Sequence, residues 1–306
     1  MNKQLRTLAA ICLFATLATG NAQAATAPVK AVKPMAAKKW SAKQAVSTET
    51  TATVSTSLQS VDSYTIYYGQ PSATAIRTLS SYEMVVLEPR LWSAEQLLAL
   101  KQSGVKVLGY LSILEQHESS ELLRSAVDGD YLTVSGQRDF RTEWNSWSMN
   151  INSLHYRSLL IGDLERQIVQ KGLDGVFLDT VGNVDDGIWP ASISDVQRDG
   201  VVSFLSELSV KYPNLSLMQN WGLGALKDRT APYIDGILWE DFNPTVVTKD
   251  AWSCNRMAEL DKLETTGLAV FTVKIGATAK VQTSFTNLNR QHGYVGQIIK
   301  KSYDVL

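Results

Sequence analysis

Cysteine is almost absent: the chain holds only Cys12 and Cys254. Cys12 lies in an N-terminal stretch that has Lys3 and Arg6, then an apolar run over 8–17, then Ala22-Gln23-Ala24. That is the pattern of a secretory signal peptide, with cleavage expected after Ala24. Its removal leaves Cys254 alone, so no intrachain disulfide can brace the fold, even in the oxidising compartment that export implies. The apolar core must hold the structure by itself. Apolar runs of roughly 18 residues, the length a membrane span needs, are missing as well. The mature protein is therefore expected to be soluble and exported, periplasmic or extracellular, since the signal specifies only the first crossing.

Histidine is scarce, with only His117, His155 and His292. No phosphate loop, dinucleotide fingerprint, His-Glu-x-x-His or paired cysteines occur, which removes the usual signatures of nucleotide and zinc chemistry. His155 falls in a predicted helix and reads as structural. His117, between Glu115 and Glu118, lacks the three or more convergent ligands that a metal needs. Asp185 and Asp186 have no calcium-loop pattern and read as rim residues. Neither a metal nor a cofactor is expected.

Basic residues are short in the globular part. From residue 61 onward the chain carries 22 basic and 29 acidic residues, a formal charge of −7. This argues against nucleic acid as a partner, because basic patches drive that binding. An acidic surface favours a neutral or cationic partner, and it also simply keeps an exported protein soluble. Residues 25–60 are rich in Ala, Thr, Ser, Lys and Pro without apolar periodicity, and read as a flexible tether. The folded domain is expected over 61–306, close to the roughly 250 residues of an eight-stranded β/α barrel.

Eight strand candidates recur through that domain, at 65–69, 84–88, 105–111, 175–179, 216–220, 236–240, 268–273 and 295–299. The clearest helices lie at 93–103, 153–171, 194–212 and 255–266. Ser93, Ser153 and Ser194 stand as N-caps, and Gly104, Gly172 and Gly267 as stops. Strands alternating with helices imply a parallel sheet, and the count predicts the α/β class with a (β/α)8 TIM barrel. Residues 113–152, with Trp144 and Trp147, are too long for an ordinary loop. If the count holds, they follow the third strand on the barrel's C-terminal face, where such barrels do their chemistry.

Two segments are near copies. Asp174-Gly175-Val176-Phe177-Leu178-Asp179 and Asp235-Gly236-Ile237-Leu238-Trp239-Glu240 each run Asp-Gly, three apolar residues, then an acid. A short apolar run after a Gly turn suits a strand covered on both faces. Alternation puts Asp179 on the face of Phe177 and Glu240 on that of Leu238. The acids end the fourth and sixth strands, and alternate strands feed one inward layer. Two such carboxylates equip a site for glycoside hydrolysis, one protonating the leaving oxygen while the other attacks carbon or activates water. Paired acids at strand ends also bind cations or cap helices. Glu115, after the third strand, reads equally as a capping, salt-bridging or site residue. Asn220-Trp221 ends the fifth strand with an amide and an indole, which either meet a sugar or fill the barrel mouth.

Together, Tyr67-Tyr68-Gly69, the stretch from Gly109 to Glu115, Gly172 to Thr180, Asn220-Trp221-Gly222 and Leu238-Trp239-Glu240 resemble glycoside hydrolase family 114, the endo-α-1,4-polygalactosaminidases and similar domains of exopolysaccharide systems. The likeness is spread in order over most of 64–300. It implies that Asp179 is the nucleophile, that Glu240 is the acid/base, and that Glu115 binds sugar near the bond cleaved. Tyr68, Tyr110 and Asn220 match pocket-lining positions, and Trp221 is expected to bind substrate beside them. Two departures stand out. Leu114 replaces a glycine before the third-strand glutamate, and Gly182 replaces an acid after Asp179, a role that Asp185 or Asp186 would have to fill from the loop. The resemblance implies an exported endo-glycosidase that cleaves an amino-sugar polysaccharide with retention. The alternatives are a polysaccharide-binding or export-system barrel that does not cut, and a hydrolase of another α-linked glycan.

Overall fold

In the computed structural model residues 58–306 are described, and the signal peptide and all but the last residues of the tether lie outside them. Eight strands form one all-parallel sheet in chain order: β1 (Tyr64–Tyr67), β2 (Met84–Leu87), β3 (Lys106–Ser112), β4 (Gly175–Asp179), β5 (Ser216–Asn220), β6 (Gly236–Trp239), β7 (Ala269–Ile275) and β8 (Val295–Ile299). All eight predicted strands are present, within a residue or two of the expected ends. The sheet curls into a nearly closed (β/α)8 barrel. Its seam between β1 and β8 is bridged where the Tyr68 N–H donates to the Tyr303 carbonyl at 2.7 Å.

Alternation along each strand divides the core into two layers. Tyr64, Met84, Leu108, Phe177, Leu238 and Phe271 point into the barrel. Val85, Val107, Leu178, Leu217, Ile237 and Val270 face the helices. Leu58, within the stretch read as tether, is fully buried in the inner layer, close to Gly236 and Phe271. An apolar side chain at the edge of a polar, Ala- and Thr-rich segment carries no periodicity to reveal it.

The helices are α1 (Ala73–Leu79), α2 (Ala94–Gln102), α3 (Leu154–Leu164), α4 (Ala191–Lys211), α5 (Leu226–Thr230), α6 (Pro244–Val247), α7 (Ala251–Glu264) and α8 (Ala279–His292). Ser93 caps α2 in a reciprocal box with Gln96, and Ser153 caps α3, which continues as a π turn over Glu165–Val169. Gly104, Gly172 and Gly267 follow their helices with positive φ, as stops should. Two starts differ from expectation. Pro190 opens α4, which leaves Ser194 buried one turn inside, and Asp250 caps α7 through the Ser253 N–H, ahead of the expected Asn255. In both cases a proline or acid just upstream supplied a better terminus than the first residue of the apolar pattern. α8 escaped notice because it is mostly polar and buries little beyond Phe285 and Asn289.

Residues 113–152 are an ordered insertion after β3. Glu115–His117 pairs antiparallel with Ser146–Ser148, which pairs in turn with Phe140–Arg141. Trp147 holds this sheet together, with its ring 4.7 Å from Phe140 and 5.7 Å from Tyr131. Asp130 anchors the insertion to α3, accepting from Ser153 and pairing with His155 at 2.7 Å, so His155 is structural, as expected. Among the described residues no helix is long and apolar enough to cross a membrane.

Because Leu58 is part of the core, Leu58→Ala should cost about 2–4 kcal/mol. Leu154→Ala, at a site 76 % exposed, should stay within about 0.5 kcal/mol. Denaturant unfolding of the two variants makes the comparison.

Candidate active site

The register of three neighbouring strands assembles the site. Leu178 pairs with Gln219, so the next residues, Asp179 and Asn220, sit level at the C-terminal ends of β4 and β5. Asn220 pairs with Leu238, and Glu240 follows two residues later on the same inward side. On the other flank Ser112 of β3 pairs with Asp179, and Tyr110 lies one inward step below.

Asp179 is held from both sides. Tyr110 donates its hydroxyl to Oδ2 at 2.7 Å and Asn220 donates Nδ2 to Oδ1 at 2.8 Å. Each oxygen keeps a fixed direction, and donors on both suit a carboxylate rather than an acid. The Asn220 amide also acts on Glu240, so one side chain touches both acids. Asn220 Oδ1 is buried and has no hydrogen-bond partner among the described residues.

Glu240 is only 9 % exposed. Burial, and next the like charge of Asp179, push its carboxyl up to about 8. The Tyr303 hydroxyl, which donates to Oε1 at 3.0 Å, opposes that rise. The two acids therefore differ in environment: one is gripped by donors, and the other is desolvated and protonated at neutral pH.

Glu115 is buried beside them. Asn183 donates to its Oε1 at 2.7 Å and Ser146 to its Oε2. Burial raises its carboxyl, the two donors and Arg141 counteract, and Asp179 adds to the rise. Tyr68 completes the mouth, with its ring edge-on to Tyr110 at 5.2 Å and to Tyr303 at 5.5 Å. Asp179, Glu240, Glu115, Tyr68, Tyr110 and Asn220 thus come together. Trp221 does not join that aromatic group. It is half-buried against the outer layer, its ring 6.4 Å from Trp239.

Both departures have a structural account. Leu114 is fully buried in the outer core with an ordinary negative φ, and its N–H donates to Thr180 Oγ1 at 2.8 Å. The turn that places Glu115 needs no left-handed residue here. At Gly182 a Cβ would stand 2.5 Å from that of Trp221, so the seat of Trp221 excludes any side chain there. Asp185 does not replace the missing acid. It pairs with Arg198 and accepts from the Leu226 N–H, tying the loop after β4 to α5.

Sequence reading missed Tyr303, Asn183 and Ser146, which lie 63, 68 and 31 residues from the acids they touch. It also missed a repeated backbone device: Thr180, Trp221 and Asp241, each directly after Asp179, Asn220 or Glu240, all have φ between +52° and +63°. Among the described residues, no group of three His, Cys, Asp or Glu is placed to hold a metal.

A family model, the glycoside-hydrolase family GH114, matches residues 21–301. The chain belongs to glycoside-hydrolase family GH114. It is a glycoside hydrolase, and the match carries Asp179, Glu240 and the insertion within one continuous span. The fold is also similar to solved structures. One is the glycoside hydrolase domain of PelA from Pseudomonas aeruginosa, 21 % identical with a TM-score of 0.65, covering 80 % of this chain and 97 % of that one. Another is Aspergillus fumigatus Ega3, solved as a complex with galactosamine, 16 % identical with a TM-score of 0.61, covering 80 % and 92 %. No curated protein matches the chain.

A carboxyl raised in the folded state binds its proton more tightly than in the unfolded chain. Stability is then lost as pH climbs from about 4.5 to about 8. Glu240→Gln should therefore melt above wild type at pH 8.5 and lose that advantage by pH 4.5, as thermal unfolding across pH would read. Gly182→Ala should cost about 1–3 kcal/mol by overpacking against Trp221, measured by denaturant midpoint.

Proposed function

We propose that this hydrolase is an exported endo-glycosidase that cuts α-1,4-linked galactosamine polysaccharide with retention of configuration. Asp179 attacks the anomeric carbon while protonated Glu240 gives its proton to the leaving oxygen. Glu240 then takes a proton from the water that releases the glycosyl-enzyme. The observation that carries this reading is the electrostatic coupling of the two acids, because the charge on Asp179 helps to hold the proton on Glu240. Once Asp179 becomes an ester that charge is gone, so Glu240, which has already given its proton to the leaving group, is held as the carboxylate that serves as base. Retention needs that switch of role in a single residue.

The amino-sugar assignment is supported by the family and by the fold shared with Ega3, the relative solved with galactosamine. An acidic globular part, a formal −7 from residue 61 onward, suits a polymer with free amines. Glu115 offers carboxylate oxygens to hydroxyl or ammonium groups, and Tyr68 and Tyr110 offer ring faces. Export rests on the N-terminal sequence. A barrel that binds without cutting loses its grounds here, since neither Leu114 nor Gly182 disturbs Asp179 or Glu240.

Incubation of the mature protein with partly deacetylated α-1,4-galactosaminan should release oligosaccharides that mass spectrometry detects. Asp179→Asn and Glu240→Gln should each lower the rate by at least ~10³-fold. Intact polymer beside a folded wild type would reject the substrate, and a panel of other α-linked glycans would then find the replacement.

A further inference from the structure

We propose that Tyr303 is a positioning residue for the acid/base, holding Glu240 in line through its hydroxyl while its backbone locks the barrel seam. The inference rests on the reading of Glu240 given above. Tyr303 lies beyond the last strand and is 5 % exposed. Three of its parts have separate tasks. The hydroxyl donates to Glu240 Oε1 at 3.0 Å, the ring stacks edge-on to Tyr68 at 5.5 Å, and the carbonyl accepts the Tyr68 N–H at 2.7 Å across the seam.

That arrangement leaves Glu240 with one oxygen tied to Tyr303. The proton is then directed to the other oxygen, because the carbonyl oxygen of a carboxylic acid is the better acceptor and a phenol that donates to Oε1 favours Oε1 in that role. Glu240 needs such restraint more than Asp179 does. Asp179 has a hydrogen-bond donor on each oxygen, whereas Glu240 is buried beside two groups of its own sign, Asp179 and Asp241.

The groups facing Glu240 come from every side of the mouth. Asp179 of β4 and Asp241, its own neighbour, disfavour its ionised form; Tyr303 and Asn220 stabilise that form; and Tyr64 of β1 feels its charge. Lys274 of β7 stands 4.0 Å from Asp241, and Tyr110 and Tyr68 complete the wall. Of these, Tyr303 is the neutral donor whose hydrogen bond favours ionisation most, so its loss has a defined sign. Without the hydroxyl the ionised form of Glu240 loses a donor, and the proton is held more tightly.

Tyr303→Phe keeps the ring and the backbone contact while removing the hydroxyl. The full-length mature variant, assayed on the galactosamine polymer, should show the alkaline limb of kcat/KM moved up by about half to one pH unit. Its kcat near neutrality should fall about tenfold, with KM within about twofold. Its melting temperature should stay near that of wild type, whereas Tyr303→Ala, which also loses the ring, should melt lower. A Tyr303→Phe profile that overlays wild type would overturn the proposal. So would a fall in kcat that follows a lowered melting temperature with no shift of the limb, since that is loss of packing. If Glu240→Gln is as active as wild type, the assignment of the acid/base fails instead. An inactive wild type rejects the polymer as substrate, and the proposal is then read from melting across pH: Tyr303→Phe should go on losing stability to a higher pH than wild type, and an overlay would overturn it.

Discussion

A carboxyl group that is buried, and charged only reluctantly, sits at the mouth of this barrel, and much of the structure is arranged around it. Desolvating an ionised carboxylate is expensive, so Glu240 keeps its proton near neutrality and is available as an acid. Asp179 lies close enough for its charge to be felt there. Two like groups in one cleft cannot ionise equally, and the protein divides them by their surroundings, with donors for one and burial for the other. The barrel makes this division possible because neighbouring parallel strands present level inward residues at their carboxyl ends, Asp179 beside Asn220, with Glu240 one inward step beyond.

The strand ends carry a local cost. Thr180, Trp221 and Asp241 adopt left-handed backbone without being glycine, a conformation that side chains with a Cβ disfavour. Each follows directly on a site residue, so the chain bends sharply away and leaves Asp179, Asn220 or Glu240 aimed into the mouth. The strain is held in place by neighbours. Thr180 accepts the Leu114 N–H, Trp221 packs against Trp239 and its N–H donates to the Leu238 carbonyl, and the N–H of Phe242, next after Asp241, donates to the Val273 carbonyl of β7. Beneath them two apolar layers supply the rigidity such turns require. Gly182 belongs to the same device, since its missing side chain is the space into which Trp221 turns.

The parts legible in the sequence were those governed by short-range regularity. Short continuous apolar runs alternating with helical segments located all eight strands, and Asp-Gly repeats with a terminal acid located Asp179 and Glu240 at two strand ends. Strand parity even gave their direction. What remained hidden depends on distance along the chain. Tyr303 and Glu240 are 63 residues apart, and Asn183 and Glu115 are 68 apart, and no local pattern joins them. Trp221 is a different case: the residue after the inward Asn220 takes a positive φ and its half-buried ring packs on the outer layer, a turn that composition does not reveal. The insertion after β3 was recognised by length alone, and its short strands and Trp147 core lie below the length at which alternation becomes readable.

Closure of the barrel ties these observations together. An open sheet has edges, and a barrel removes them only if its first and last strands meet. Here the meeting of β1 and β8 is completed above the strands by Tyr68 and Tyr303, and the same two rings wall the pocket. The residue that finishes the architecture is therefore in direct contact with the residue that carries the proton. Loosening at the seam would let water reach Glu240, relieve its desolvation and lower its hold on the proton. In this protein the integrity of the sheet and the protonation state of the acid are one physical problem, because the Tyr68–Tyr303 contact that completes the seam also walls the place where Glu240 is buried.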